Sequence, residues 1–176
     1  MTVDHERGLV FAATGSASFD FYGGNRKGQN LFANCVLALD ATTGERKWHF
    51  QTTHHDIWDR DLPAPPVLVS LNREGKKVDA VAQVTKQGLV FVLDRETGEP
   101  LFDVEERPVP VSDLDGEEAW AAQPFPVKPP PFARQVFNEN SINTLTPEIE
   151  SYVKESIKGL KFGTPYIPPS REGTVV

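Results

Sequence analysis

Leu37-Ala38-Leu39-Asp40-Ala41-Thr42-Thr43-Gly44-Glu45-Arg46-Lys47-Trp48 lines up with Phe91-Val92-Leu93-Asp94-Arg95-Glu96-Thr97-Gly98-Glu99-Pro100-Leu101-Phe102. The offset is 54 residues for Asp94 against Asp40, Gly98 against Gly44 and Phe102 against Trp48. Each unit reads as a hairpin. An apolar strand runs into an Asp whose carboxylate can accept from turn amides, and a Gly takes the positive-φ position that a Cβ would oppose. The aromatic falls on the returning strand, where it can pack between neighbouring sheets. Strand units repeated at about 40–50 residues are the mark of propeller blades. A weaker match pairs Arg7-Gly8-Leu9-Val10-Phe11 with Gln87-Gly88-Leu89-Val90-Phe91. Two unrelated hairpins with shared turn chemistry are the plainer alternative, and the matching aromatic register weighs against it.

Around the repeat the periodicity is two or continuously apolar, not 3.6. Gly8–Ala13, Cys35–Leu39, Lys47–Gln51, Pro66–Val69, Asp79–Val84 and Gly88–Leu93 read as short strands separated by turn chemistry. The fold class is therefore all-β, a partial β-propeller of about two to three blades over residues 1–103. After residue 103 the character changes. Arg107-Pro108-Val109-Pro110, Phe125 to Pro131 and Ile167-Pro168-Pro169 read as extended, polyproline-like pieces that cannot be central strands. Between them Thr146 suits an N-cap, Pro147 the first helical position and Glu148 the positive helix end. Ile149, Tyr152, Val153, Ile157 and Leu160 form one apolar stripe, so a helix is expected over about 147–160. Residues 104–176 thus read as a Pro-rich inter-blade insertion with one helix. Gly173-Thr174-Val175-Val176 reads as the start of a further strand.

The chain has 176 residues and a net charge of −7, with 39% hydrophobic residues, 13 Gly and 15 Pro. An acidic balance argues against nucleic acid and polybasic membrane-surface roles. No apolar run reaches the roughly 18 residues of a transmembrane helix, and the first residues lack the pattern of a signal peptide. Cys35 is the one cysteine, so an internal disulfide and a Cys-based zinc site are excluded; it reads as a small packed apolar residue. Two or three blades cannot close a ring, which typically takes 4–8. The chain is expected to be a piece of a larger protein, with an oligomer of short chains closing a ring as the second possibility.

The densest polar stretch is Thr52-Thr53-His54-His55-Asp56-Ile57-Trp58-Asp59-Arg60-Asp61-Leu62-Pro63. Three readings compete. Adjacent His54 and His55 could hold zinc, although neighbours on an extended chain point to opposite sides. The carboxylates could cap turn amides, with Arg60 pairing one of them. Or a carboxylate could serve as a base or as a ligand to a hard cation at the mouth of a propeller channel. Lys86, in Thr85-Lys86-Gln87-Gly88, is by itself a solvated charge; beside a quinone carbonyl it would be a donor and a fixed positive charge.

Phe21-Tyr22-Gly23-Gly24-Asn25-Arg26, the stretch from Phe50 to Pro66, and Thr85 to Arg95 together resemble the pyrroloquinoline-quinone (PQQ) dependent dehydrogenases, most closely the glucose dehydrogenase branch. The Trp-containing repeat is that family's blade-docking motif. The resemblance implies an eight-bladed quinoprotein propeller with PQQ and calcium near its axis. Such an enzyme oxidises a sugar or alcohol hydroxyl and passes electrons to ubiquinone or a cytochrome, usually in the periplasm. It places the catalytic aspartate, the second Asp of Asp-x-Trp-Asp, at Asp59, also a metal-side residue, and the quinone-contacting lysine at Lys86. Ser16 stands where many relatives carry an Asn calcium ligand, a weaker neutral oxygen. The vicinal Cys pair of the alcohol dehydrogenases cannot form with Cys35 alone. The isolated chain is expected to be inactive, its partners being the remaining blades. A non-enzymatic propeller piece acting as a scaffold or binding module is the alternative; the Asp59 and Lys86 segments together favour the enzyme.

Overall fold

The computed structural model describes residues 1–175. Its strands form three small antiparallel sheets. The first is a complete four-stranded unit in chain order: β1 (Thr2–Asp4), β2 (Leu9–Ala13), β3 (Cys35–Asp40) and β4 (Arg46–Gln51). The second has β5 (Val67–Arg73), β6 (Lys76–Val84) and β7 (Val90–Asp94). A bridge from Leu93 to Pro100 stands where a fourth strand begins. The third is a hairpin of β8 (Val104–Pro108) and β9 (Ala122–Pro126). This is the architecture of a few propeller blades, with one α-helix.

The repeat is a structural repeat. Asp40 Oδ1 accepts from the amides of Thr42 and Thr43 at 2.9 and 3.0 Å, and Asp94 Oδ1 accepts from Glu96 and Thr97, both at 2.9 Å. Gly44 and Gly98 each donate to the Asp carbonyl at 2.9 Å, with φ of +74° and +77°. The weaker match does not correspond in the same way. Gly8 leads into the second strand of its sheet and Gly88 into the third of its own, so these two share turn chemistry and not a place in the repeat.

Trp48 joins the two large sheets. Its Nε1 donates to Arg95 O at 3.2 Å, and its ring lies against Gly98 and Phe11. The core of Leu9, Phe11, Val36, Ala38, Trp48, Val81, Phe91 and Leu93 is continuous across both sheets. Buried Arg95 adds a polar tie, donating to Asp4 of β1 at 3.1 Å. A Cβ on Gly98 would sit 2.6 Å from the Trp48 ring, whereas one on Gly44 meets nothing within 4 Å. Both glycines pay about 1–2 kcal/mol for a left-handed Ala, but only Gly98→Ala adds overpacking of about 1–3 kcal/mol. Urea unfolding should show Gly98→Ala as clearly the more destabilised; equal losses would mean that the Trp48–Gly98 contact is loose.

Cys35 is fully buried, and burial pushes its thiol up to about 12, so it packs and does not react.

Residues 104–175 are more ordered than a polyproline wrap. Pro108 and Pro126, read as polyproline-like, lie in strands together with Pro124, and in a two-stranded sheet both strands are edges, so none of the three is in a central strand. Val109 N–H bonds Ala121 O and Val127 N–H bonds Asp103 O. Odd-numbered positions therefore carry the ladder, and all three prolines fall on the alternate pairs that exchange no hydrogen bond.

The helix, α1, spans Pro147–Ser156, with Thr146 Oγ1 accepting from Ile149 N–H. It stops short of 160 in a turn around Gly159 (φ +82°), closed by Leu160 N–H to Ile157 O. None of its residues is buried, so the apolar stripe packs only loosely. Thr174 makes a parallel bridge with Lys161, and Val176 of the expected further strand lies outside the described residues.

Candidate functional site

The β2–β3 excursion (residues 14–34) and the β6–β7 turn leave equivalent strands of successive sheets. Together with the β4–β5 connection they bring Ser16, Asp59 and Lys86 to one rim.

Asp56 organises the connection. Its Oδ1 accepts from Trp58 N–H at 2.9 Å, and its Oδ2 accepts from Arg60 N–H at 2.7 Å and Asn34 Nδ2 at 2.8 Å. Ser16 Oγ also donates to Oδ2. Asp56 is thus the turn-capping carboxylate of the structural reading, and Arg60 bonds Pro165 O at 2.7 Å instead of a carboxylate. The wrapped chain leaves Asp59 with φ +57°, a left-handed conformation that Asp tolerates better than most residues.

The histidines diverge. His54 bonds Gln51 Oε1 (2.6 Å) and Glu106 Oε1 (3.2 Å). His55, fully buried, bonds Gly28 O (2.7 Å) and Glu117 Oε1 (2.9 Å). They do not share a ligand position, and among the described residues no group of three His, Cys, Asp or Glu converges as a metal would require.

Asp59 and Lys86 meet. Lys86 Nζ lies 3.1 Å from Asp59 Oδ1, 3.0 Å from Asp59 O and 3.1 Å from Asp61 Oδ2. The ammonium bridges two carboxylates, all three side chains being 33–39% exposed. Asp61 Oδ1 also accepts from Ser16 N–H at 2.6 Å, and a Cβ on Gly15 would collide with that oxygen. The Thr-Lys-Gln-Gly turn is held by Gly88 N–H to Thr85 O, and Gly88 has φ +79° with Ala133 against it.

The two carboxyls are pushed apart. Asp59 is raised, first by its hydrogen bond to Asp61 and then by burial, against the pull of Lys86. Asp61 is held down to about 2, first by the Asp59 hydrogen bond, against burial, with help from Ser16 N–H and Lys86. Burial alone would lower Lys86, but Asp61 and Asp59 outweigh it and raise it. Such splitting separates a proton acceptor from a permanent counter-ion. A depressed Asp61 contributes stability above its ordinary value of 3.8 that is lost as pH falls towards 2. Raised Asp59 acts in the opposite sense. The stability gap between the parent and Asp61→Asn should therefore close between about pH 4 and pH 2. A gap constant across that window, read from urea midpoints, would remove Asp61 from this role.

Tyr166 anchors both loops from below. Fully buried, it packs edge-on against Trp58, with centroids 5.1 Å apart. Its hydroxyl accepts from Gln87 Nε2 at 3.0 Å, and Gln87 Nε2 also reaches Thr53 Oγ1 at 2.9 Å. Trp58 precedes Asp59 and Gln87 follows Lys86, so one side chain of the C-terminal segment fixes the neighbours of both. Sequence reasoning missed Tyr166, Asn34 and the bridging role of Asp61. Only Asp61 carried a signal, its two-residue spacing from Asp59.

Lys86 supplies the donor type that suits one edge of a quinone, and since its three N–H groups are directed at Asp59 O, Asp59 Oδ1 and Asp61 Oδ2, a quinone oxygen would take the place of one of these acceptors. Calcium fits less well. It takes six to eight oxygens, yet the ammonium already lies between the two carboxylates and Ser16 Oγ is committed to Asp56. The residues of this chain do not by themselves fit that ion.

A family model described as "PQQ: Glucose/ethanol/alcohol dehydrogenase, beta-propeller domain" matches residues 1–176. The quinate/shikimate dehydrogenase (quinone) of Acinetobacter baylyi is 38% identical over 98% of this chain and 22% of its own length. The quinoprotein glucose dehydrogenase A of Acinetobacter calcoaceticus is 35% identical over 100% of this chain and 23% of its own. Among solved structures, a quinohemoprotein alcohol dehydrogenase of Pseudomonas putida superposes with a TM-score of 0.54 at 31% identity, covering 70% of this chain and 18% of that one. The chain spans roughly a fifth of the length of these relatives.

Proposed function

The chain belongs to the PQQ-dependent glucose/ethanol/alcohol dehydrogenase family, within its β-propeller domain, and on that premise we propose that it carries the base and one quinone contact of such an enzyme. The supporting observation is the 3.1 Å contact between Asp59 Oδ1 on the β4–β5 connection and Lys86 Nζ on the β6–β7 turn. Asp59, with its pKa raised, accepts the proton of a substrate hydroxyl. Lys86 presents a positive donor where charge develops on the quinone oxygen. When bound, PQQ supplies the two-electron acceptor for the hydride leaving the substrate carbon. Asp61 keeps Lys86 in place by ionic attraction when Asp59 takes up its proton. The substrate is a sugar or another alcohol, glucose and quinate being the substrates named in the two relatives. Electrons go on to ubiquinone or a cytochrome, in the periplasm. No step is assigned to calcium.

The chain acts in a complete propeller, whose other blades supply the remaining walls. There, Lys86→Met is expected to raise the Kd for PQQ about 10–100-fold, since a hydrogen bond to a charged group contributes about 1.5–3 kcal/mol. Titration followed by the cofactor's absorbance reads this directly, and an unchanged Kd would refute the contact.

A further inference from the structure

The turn between β8 and β9 (residues 109–121) lies against the 14–34 excursion, where Tyr22 Oη donates to Asp115 O at 2.8 Å. A buried pair fastens it there. The side chains of His55 and Glu117 are both 0% exposed. Glu117 Oε2 accepts from Gly23 N–H at 2.5 Å, and its Oε1 lies 2.9 Å from His55 Nε2. A Cβ on Gly23 would sit 2.3 Å from that same nitrogen, so only glycine fits against the ring. On its other side His55 Nδ1 lies 2.7 Å from Gly28 O. A carbonyl only accepts, so Nδ1 carries a hydrogen, and Nε2 then faces a carboxylate that, when ionised, also only accepts. The contact closes only with one proton more than neutral imidazole and carboxylate supply. Arg26 of the excursion faces Glu117 and favours the carboxylate, as does Gly23 N–H, so that proton rests on the imidazole. The other charges nearby are Asp56 on the histidine's own connection, and Lys27 and Glu118, which pair with each other at 2.9 Å. His54 repeats the arrangement at the surface. Gln51 Nε2 donates to Gln29 O and Ala33 O, which leaves its Oε1 to accept from His54 Nδ1–H, and His54 Nε2 reaches the exposed Glu106 at 3.2 Å. Water competes there, so that pair contributes little.

We propose that the His55–Glu117 pair is a proton-operated latch, which holds the 109–121 turn on the 14–34 excursion and lets go as pH rises. The excursion carries Ser16, whose N–H holds Asp61, and Arg26, whose Nη2 holds Asp56 O at 2.6 Å. The latch thus bears on the rim through the excursion, and it stands whether or not the chain serves a dehydrogenase. The closed pair holds one proton. In the open state a free imidazole holds one below about pH 6.5 and none above it. Closing therefore takes up a proton above about pH 6.5, and the latch weakens there by about tenfold per pH unit. Between about pH 4.5 and 6.5 both states hold one, and the latch is level.

Amide hydrogen exchange on the 176-residue chain tests this, followed by NMR and divided by the intrinsic rate at each pH. Protection of the Gly23 amide is expected to be level from about pH 5 to 6.5 and to fall about tenfold per unit above that, while the amides of the β6–β7 ladder do not follow. Glu117→Gln makes a latch that needs no proton: the new amide accepts from Gly23 N–H and donates to the neutral ring at Nε2. Closing then requires an uncharged His55, so the slope changes sides, with protection rising up to about pH 6.5 and level beyond it. Glu106→Gln is expected to leave the parent profile as it is. Level protection in the parent above about pH 6.5, or a Glu117→Gln profile that matches the parent's, would overturn the proposal. So would loss of the slope in Glu106→Gln, which places the proton on His54, or a fall shared by the β6–β7 amides, which reads general unfolding. The parent profile decides alone where a variant does not fold.

Discussion

Asn in place of Asp59 is expected to lower turnover of the complete propeller enzyme by about 10²–10⁴-fold, the usual contribution of a general base. The substitution isolates that contribution. The amide has nearly the same shape and can still accept from Lys86 Nζ through its oxygen, but it cannot take up a proton. Lys86 also keeps Asp61 at 3.1 Å and the backbone carbonyl of residue 59 at 3.0 Å, so the quinone contact stays in place. The loss should therefore fall on kcat, with KM and the affinity for PQQ nearly unchanged. Removing the carboxylate also lifts the acid-side limit on kcat, because the group that must be ionised is gone. Steady-state rates across pH, on enzyme saturated with PQQ, check both points. Normal turnover in the variant would mean that the proton goes elsewhere and that Asp59 is only a partner of Lys86.

The sequence was most legible where local chemistry dictates local shape. Asp-x-x-Thr-Gly fixes a turn through its own side chains, so the two hairpins were readable without knowing their surroundings, and Trp48 was readable because its register follows from the turn. The Arg7–Phe11 match misled because a positive-φ glycine before an apolar strand fits any hairpin and says nothing of which strand follows. Proline hid β8 and β9. A missing N–H forbids a central strand, but Pro108, Pro124 and Pro126 sit at pairs where that N–H would point away from the partner. At the site, Asp59 and Lys86 were legible through their motifs. Tyr166 and Asn34 were not, since each reaches its place through a loop path that no periodicity encodes. The helix start was legible from Thr146 and Pro147, but its stripe is largely solvent-facing, because amphipathic spacing does not show whether a partner surface is present.

Tyr166→Ala should be the most disruptive single change in the C-terminal segment, costing about 3–5 kcal/mol as a large buried aromatic lost to a cavity. The ring is fully buried between Trp58, 5.1 Å away by centroid, and Phe125, 5.4 Å away. Two loops depend on it for different reasons: Trp58 loses its packing surface, and Gln87 loses one acceptor of its amide. Gln87 keeps Thr53 Oγ1 at 2.9 Å, so Tyr166→Phe, which removes only the hydroxyl, should cost about 1 kcal/mol. That asymmetry separates packing from polar anchoring. With Ala, the cavity lies beneath the chain that carries Asp59, and the loop can settle into it. The 3.1 Å bridge to Lys86 then loosens, and the raised Asp59 relaxes towards the ordinary carboxylate value as its hydrogen bond to Asp61 is lost. Urea unfolding measures the first effect, and NMR titration of the Asp59 carboxyl carbon measures the second. A Tyr166→Ala chain that loses stability while Asp59 titrates as before would show that the C-terminal segment supports the fold without shaping the site.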